Sequence, residues 1–267
     1  MKTSTDSSST CFAHFEIDII SALALQLTSA LDALAIGRLD PSILEELPRL
    51  QGVYKLFHAE QLVYVGKADN LPKRLNEHWE KISGRQNISK ESMGFKCLSV
   101  HQNWTALAPE ASLITHYRAK RSNQCEWNGN GFGPHDPGRD RETTNKPPDG
   151  FDMRYPIRTD WKCDWITAGN WNLLELLVSL KTNLPFLLRY ETDTLSAKKN
   201  AHYSKGHQDY REKIVDVPRD AMTAEELLKL ITANLPGWQA TAFPSHFILY
   251  RESKEYTHGR VIHHEPA

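Results

Sequence analysis

The chain has 267 residues, 40% hydrophobic and 24% charged, and its 32 Lys and Arg against 33 Asp and Glu leave a formal net charge of −1. This length can bury the core of one large domain or two small ones, and no run approaches the roughly 18 apolar residues that a membrane helix needs. The charge balance does not mark a dedicated nucleic-acid binder, which is often strongly basic, but residues 51–150 hold 14 basic against 11 acidic residues, an excess of +3 that permits a polyanionic substrate.

The opening MKTSTDSSST is polar and small and lacks an apolar h-region, so it reads as a disordered tail rather than a secretory signal. The four cysteines, Cys11, Cys97, Cys125 and Cys163, are widely spaced with no C-x-x-C pair, which argues against a zinc knuckle and against a disulfide framework. A reducing bacterial cytoplasm is the expected location.

From 15 to 36 the residues Ile19, Ile20, Leu23, Leu27, Leu31 and Leu34 recur at helical spacing, which predicts an amphipathic helix ended by Gly37. A short helical piece over 42–47 follows. The stretch GVYKLFHAEQLVYVGK, residues 52–67, predicts strands over 53–57 and 62–65 with a turn over 58–61. No Asn-Gly or Asp-Gly marks that turn, so the hairpin rests on the β-rich flanks and the short loop.

Asp69-Asn70 then supplies an N-cap, Pro72 fits the first turn, and Leu71, Leu75, Trp79 and Ile82 form one apolar stripe of a helix. A strand is expected over 95–100, and a helix opening at Pro109 with Leu113, Ile114 and Tyr117 facing inward. Residues 128–150 are dense in Gly, Pro, Asn and Asp and read as loop. Beyond them the pattern gives a helix over 171–184, a strand over 186–190, a capping box at Thr223 and Glu226 opening a helix through Leu227, Leu228 and Ile231, and a strand over 246–251. Both helices end in Asn-Leu-Pro, at 183–185 and 234–236.

The fold class expected is α+β: a small mixed or antiparallel sheet flanked by helices, with an N-terminal helix and a C-terminal α/β appendage. The units expected are 1–50, a tail and helical segment; 51–165, the domain that carries the chemistry; and 166–267, an extension whose role the sequence does not disclose.

Tyr54 and Tyr64 fall on adjacent strands of the hairpin, where their side chains can converge. Arg74 and His78 are i and i+4 on the following helix and share a flank beside its packed stripe. Glu110 is in phase with Leu113, Ile114 and Tyr117, so a carboxylate sits on an inward face and needs a metal, an arginine or a hydrogen-bond network. These residue types suit phosphodiester hydrolysis, which needs a base for water, a cation against the charge on phosphorus and help for the leaving oxygen. Arg74 is a fixed guanidinium suited to phosphate, a tyrosine near cations can act as a base, and Lys67 beside Gly66 would depress its pKa from the ordinary value of about 10.

With these residues in this order, the chain resembles the GIY-YIG nuclease superfamily. "GVY…YVG" is followed by Arg74 and His78 on a helix, Glu110 on the next helix and an asparagine downstream. The segments EASLI at 110–114 and WNGNGFGPHDPG at 127–138 look most like its type II restriction endonuclease branch. The resemblance covers residues 50–165. It implies a GIY-YIG-like core and an endonuclease that cleaves double-stranded DNA with one divalent metal, Mg²⁺ or Mn²⁺, bound by Glu110. Tyr54 would be the general base, helped by Lys67; Tyr64, Arg74 and His78 would position or neutralise the scissile phosphate; Asn128 would complete the site. Enzymes of this branch act on palindromic duplexes, which implies a homodimer or tetramer and a cognate DNA methyltransferase acting on the same site.

Both motifs carry valine where the superfamily name has isoleucine. The span from Glu110 to Asn128 is longer than the family pattern, which leaves Asn123 and Asn130 open as alternatives for the asparagine role. Taken alone, Arg74 and His78 read as a solvated helix face with Glu77 and Lys81 as an ordinary i,i+4 ion pair. Arg139 and Arg141 are candidate DNA-backbone contacts, and His258, His263 and His264 read as surface residues.

Overall fold

The computed structural model describes residues 18–101, 110–120, 124–133, 150–193 and 203–267. Helix α1, Ile19–Ala33, is capped by Asp18, which accepts from the Ser21 amide at 3.0 Å. Its stripe Leu23, Leu27 and Leu31 is buried as expected, but Ile19, Ile20 and Leu34 are exposed. Gly37 does not end the helix. It opens β1, Gly37–Arg38, whose partner is Phe95 across the sheet. Helix α2, Pro41–Leu44, is shorter than the expected 42–47 and sets proline in its first turn behind the Asp40 cap.

Strands β2, Gly52–His58, and β3, Gln61–Ala68, form the hairpin. Its tip is Ala59 and Glu60 at φ 47° and 65°, both left-handed, which is the backbone of a two-residue primed turn built without glycine. A register shift after Leu56 sets Tyr64 opposite Leu56, and Tyr54 opposite Gly66. Helix α3, Leu71–Ser83, follows, with Asn70 accepting from the Lys73 amide at 3.1 Å. Strand β4, Met93–Ser99, completes an antiparallel sheet of order β1-β4-β2-β3. Helix α4 is described from Glu110 to Lys120, so the expected opening at Pro109 lies outside the described residues.

The two faces of this sheet carry different helices. Tyr54, Leu56, Tyr64 and Ala68 pack with Leu71, Leu75 and Ile82 of α3, whereas Val53, Phe57 and Val65 pack with α1 and with Leu113 and Tyr117 of α4. On the second face Lys55, 3% exposed, reaches Asp32 of α1 at 2.6 Å and Tyr117 of α4 at 3.2 Å, and the Tyr117 hydroxyl donates to the same carboxylate at 2.9 Å. A buried ammonium is tolerable only with such partners, and this triad fixes α4 against α1.

Edge strand β3 is covered by the turn 124–130. The Cys125 amide donates to Leu62 O and the Trp127 amide to Val63 O. The Asn128 side chain both accepts from Val65 N at 2.9 Å and donates to Val65 O at 2.8 Å, as a neighbouring strand would.

Helix α5, Phe151–Arg154, leads into a second core whose buried cluster runs from Ile157 to Leu249. It comprises β5, Gly169–Asn172; α6, Leu173–Asn183; β6, Leu187–Tyr190; α7, Gln208–Arg211; β7, Ile214–Val217; α8, Ala224–Ala233; β8, Gln239–Ala242; β9, His246–Tyr250; and β10, Arg260–His264. The sheet β10-β8-β9-β6 is mixed, with β6 and β9 parallel, while β5 and β7 form a separate ribbon. The capping box at Thr223 and Glu226 is present. The two cores meet at the end of α3, where Arg85 pairs with Asp152 at 3.0 Å and donates to Pro244 O at 3.1 Å. Among the described residues no helix is long and apolar enough to cross a membrane.

Candidate active site

Strands β2 and β3, helices α3 and α4 and the turn after α4 enclose a cleft of about 580 Å³. Tyr54, Tyr64, Lys67, Arg74, Glu110 and Asn128 all line it. Gly66 explains why glycine stands opposite Tyr54: a Cβ there would lie 2.5 Å from the Tyr54 hydroxyl and 2.8 Å from the Tyr64 ring. The two rings therefore close over bare backbone, with centroids 6.1 Å apart.

His78 sits behind the cleft rather than in it. It is 1% exposed, its Nε2 lies 2.7 Å from the Tyr54 hydroxyl, and Phe132 stacks on it at 4.8 Å with an interplanar angle of 14°. Burial, with Arg74 and Lys81 nearby, holds its pKa well below 6.5, so the ring is neutral. It carries no charge with which to neutralise a phosphate.

Burial pushes the Tyr54 phenol up, with Tyr64 adding to the shift, while the charge of Arg74 pulls the other way. Tyr64 is raised by burial and Glu110, again against Arg74. Both phenols thus keep their protons at neutral pH. The cation that pulls on them is Arg74, whereas Lys67, with Arg74, draws down Glu110, whose carboxyl is raised overall by burial. Arg74 itself pairs with Glu77 at 2.6 Å.

That pair takes the place of the Glu77–Lys81 bridge of the solvated-face reading. The Lys81 ammonium instead donates to the carbonyls of Gly131, Phe132 and Gly133 at 3.3, 3.0 and 3.4 Å, tying the glycine-rich turn to α3 and holding Phe132 against His78. Arg118 was not anticipated either. It lines the cleft, and its Nη2 donates to Cys125 O at 3.1 Å and Asn128 O at 2.9 Å. Its sequence signal is phase: Glu110, Ile114 and Arg118 repeat every four residues on α4, and all three line the cleft.

Asn130 is exposed and donates to Glu126 O, outside the cleft lining; Asn123, Arg139 and Arg141 lie outside the described residues. No cluster of three or more His, Cys, Asp or Glu occurs among the described residues, so a metal here would have Glu110 as its one carboxylate. That carboxylate is half-buried and takes part in no hydrogen bond or ion pair among the described residues. A hard divalent cation completed by water and phosphate oxygens fits such a donor set.

Residues 51–161 match the family model described as the Eco29kI GIY-YIG domain. UvrABC system protein C of Fervidobacterium nodosum and that of Thermosipho africanus are each 35% identical to the chain over 83 residues, 31% of the chain and 15% of either relative. The chain thus spans only a small part of the length of these curated relatives. Together the matches support a GIY-YIG domain over residues 51–161, on the stretch that holds the hairpin, α3, α4 and the glycine-rich turn.

Proposed function

We propose that the protein is a divalent-metal-dependent endonuclease that hydrolyses double-stranded DNA at a short palindromic sequence, in the manner of a type II restriction endonuclease. The observation that carries this reading is the convergence of a carboxylate unpaired among the described residues, a fixed guanidinium and two buried phenols in one cleft. Restriction-type specificity draws its support from the Eco29kI family match. A palindromic target calls for one site per strand, hence a homodimer or tetramer, and a cognate DNA methyltransferase would protect the same sequence.

Mg²⁺ or Mn²⁺ held by Glu110 would supply charge neutralisation at the phosphate. The residues do the rest. Tyr54 is protonated, so it can take a proton from water only if its own has somewhere to go. Neutral His78, in the tautomer protonated at Nδ1, offers Nε2 at 2.7 Å. Water gives its proton to the Tyr54 oxygen as the Tyr54 proton passes to His78; the new P–O bond forms, the bond to the leaving oxygen breaks, that oxygen takes a proton from solvent, and His78, which burial keeps from staying charged, returns its proton to solvent through Tyr54. Arg74 stands beside both phenols, where the phosphoryl oxygens gather charge.

The UvrABC system protein C matches favour a second reading, a structure-specific repair or recombination nuclease on the same domain. Incubating the protein and its Glu110→Ala variant with unmethylated phage DNA and with branched duplexes in Mg²⁺, then sequencing the ends, separates the two. Discrete fragments sharing one palindrome, lost in the variant, are expected. Cutting only at branches selects the second reading, and no cutting of either substrate removes both, leaving a non-catalytic DNA-binding protein on this fold.

A further inference from the structure

We propose that Arg118 binds a DNA phosphate flanking the scissile one, as a preorganised second clamp at the far end of the cleft. Glu110, Ile114 and Arg118 occupy one face of α4, and at 1.5 Å per residue the eight positions from Glu110 to Arg118 span about 12 Å of helix. That length spans a few nucleotides at the axial rise of about 3.4 Å per nucleotide of one DNA strand, so a strand lying along α4 with its scissile phosphate at Glu110 and Arg74 brings a flanking phosphate to Arg118.

The guanidinium is already half committed. Its Nη2 is held by the carbonyls of Cys125 and Asn128, which orients the plane, while Nε and Nη1 carry no hydrogen bond among the described residues and the side chain is exposed on the cleft lining. With both Nη2 hydrogens held by carbonyls, Nη1 of this exposed side chain can still donate a charge-assisted hydrogen bond to a phosphate oxygen, and little side-chain entropy remains to be lost on binding. The cations that act on the Glu110 carboxyl are Lys67 and Arg74, which leaves Arg118 for a neighbouring group rather than the reacting one.

The inference rests on the nuclease reading above and is tested apart from it. In a Glu110→Gln background, which removes cleavage, binding of a short mixed-sequence DNA duplex is measured from about 50 to about 200 mM salt. Each phosphate contact contributes about 0.9 to the slope of log affinity against log salt. Arg118→Gln is expected to lower that slope by about 0.9, so that affinity falls about threefold less across this salt range, and Arg118→Lys, which keeps the charge, to restore it. Weakened binding with an unchanged slope in Arg118→Gln would overturn the proposal and leave Arg118 as a brace for the Asn128 turn. Failure of the Glu110→Gln parent to bind DNA at any salt would instead remove the nuclease reading, and the clamp with it.

Discussion

The Tyr54 hydroxyl and Nε2 of His78 lie 2.7 Å apart in a pocket from which both side chains are almost wholly withdrawn from solvent. If the phenol relays its proton to the imidazole, Tyr54→Phe is expected to lower the cleavage rate about 10²- to 10⁴-fold while DNA affinity changes little. His78→Gln keeps a hydrogen-bonding group but no proton acceptor, and is expected to lose rate on the same scale. Single-turnover cleavage and gel-shift binding read the two quantities; a Tyr54→Phe rate within tenfold of wild type would rule out the relay.

The same histidine makes stability depend on pH. Its folded pKa is held well below 6.5 by burial, so below about pH 6.5 the unfolded chain takes up a proton that the folded chain does not. Stability therefore falls as pH drops below that point, by about 1.4 kcal/mol per pH unit from this group until its folded pKa is reached. Urea unfolding of wild type and His78→Gln between about pH 7 and pH 5 is expected to show a shallower dependence in the variant. Equal slopes would count against the assignment.

Gly66→Ala should damage the site more than the fold. The added Cβ lies 2.5 Å from the Tyr54 hydroxyl, 2.6 Å from Cζ and 2.8 Å from the Tyr64 ring, so the phenols must shift. Crowding of this kind costs about 1–3 kcal/mol. Denaturation should report that loss, while single-turnover cleavage falls by a larger factor than the stability change accounts for.

Arg85 and Asp152 are 3% and 1% exposed at the junction of the two cores. Truncating either alone, as in Arg85→Ala, strands a buried charge and is expected to cost about 3–5 kcal/mol. The double variant Arg85→Met/Asp152→Leu should recover most of it. A double variant as unstable as the singles would show that the hydrogen bonds of Arg85 to the Tyr155 and Pro244 carbonyls, rather than its charge, hold the junction.

Legibility in the sequence followed periodicity and turn chemistry. The stripe of α3 was readable because Leu71, Leu75 and Ile82 are all buried on one side, with Trp79 packed beside them. The capping box of α8 was readable from two residues. The end of α1 was not: its apolar periodicity continues past Ala33, but the chain must turn there to pair Gly37 with Phe95, a contact 58 residues away. Strand β8, Gln239–Ala242, is wholly buried, yet its sequence QATA has no branched aliphatic residue to announce it. Within the cleft, the tyrosines, Arg74 and Glu110 were marked by residue type and order. Lys81 was not, because its partners are backbone carbonyls, which every residue has.

The cover over β3 has a consequence for self-association. An open strand edge invites another chain to add to the sheet, and natural sheets blunt such edges. Here the carbonyls of Leu62 and Val63 and both backbone groups of Val65 are already taken by the turn at 125–128, and the opposite edge is a strand of only two residues, Gly37–Arg38. The stretch 62–65 is thereby closed to intermolecular β-augmentation. An incoming strand is thus kept off the half of β3 nearest the hairpin tip.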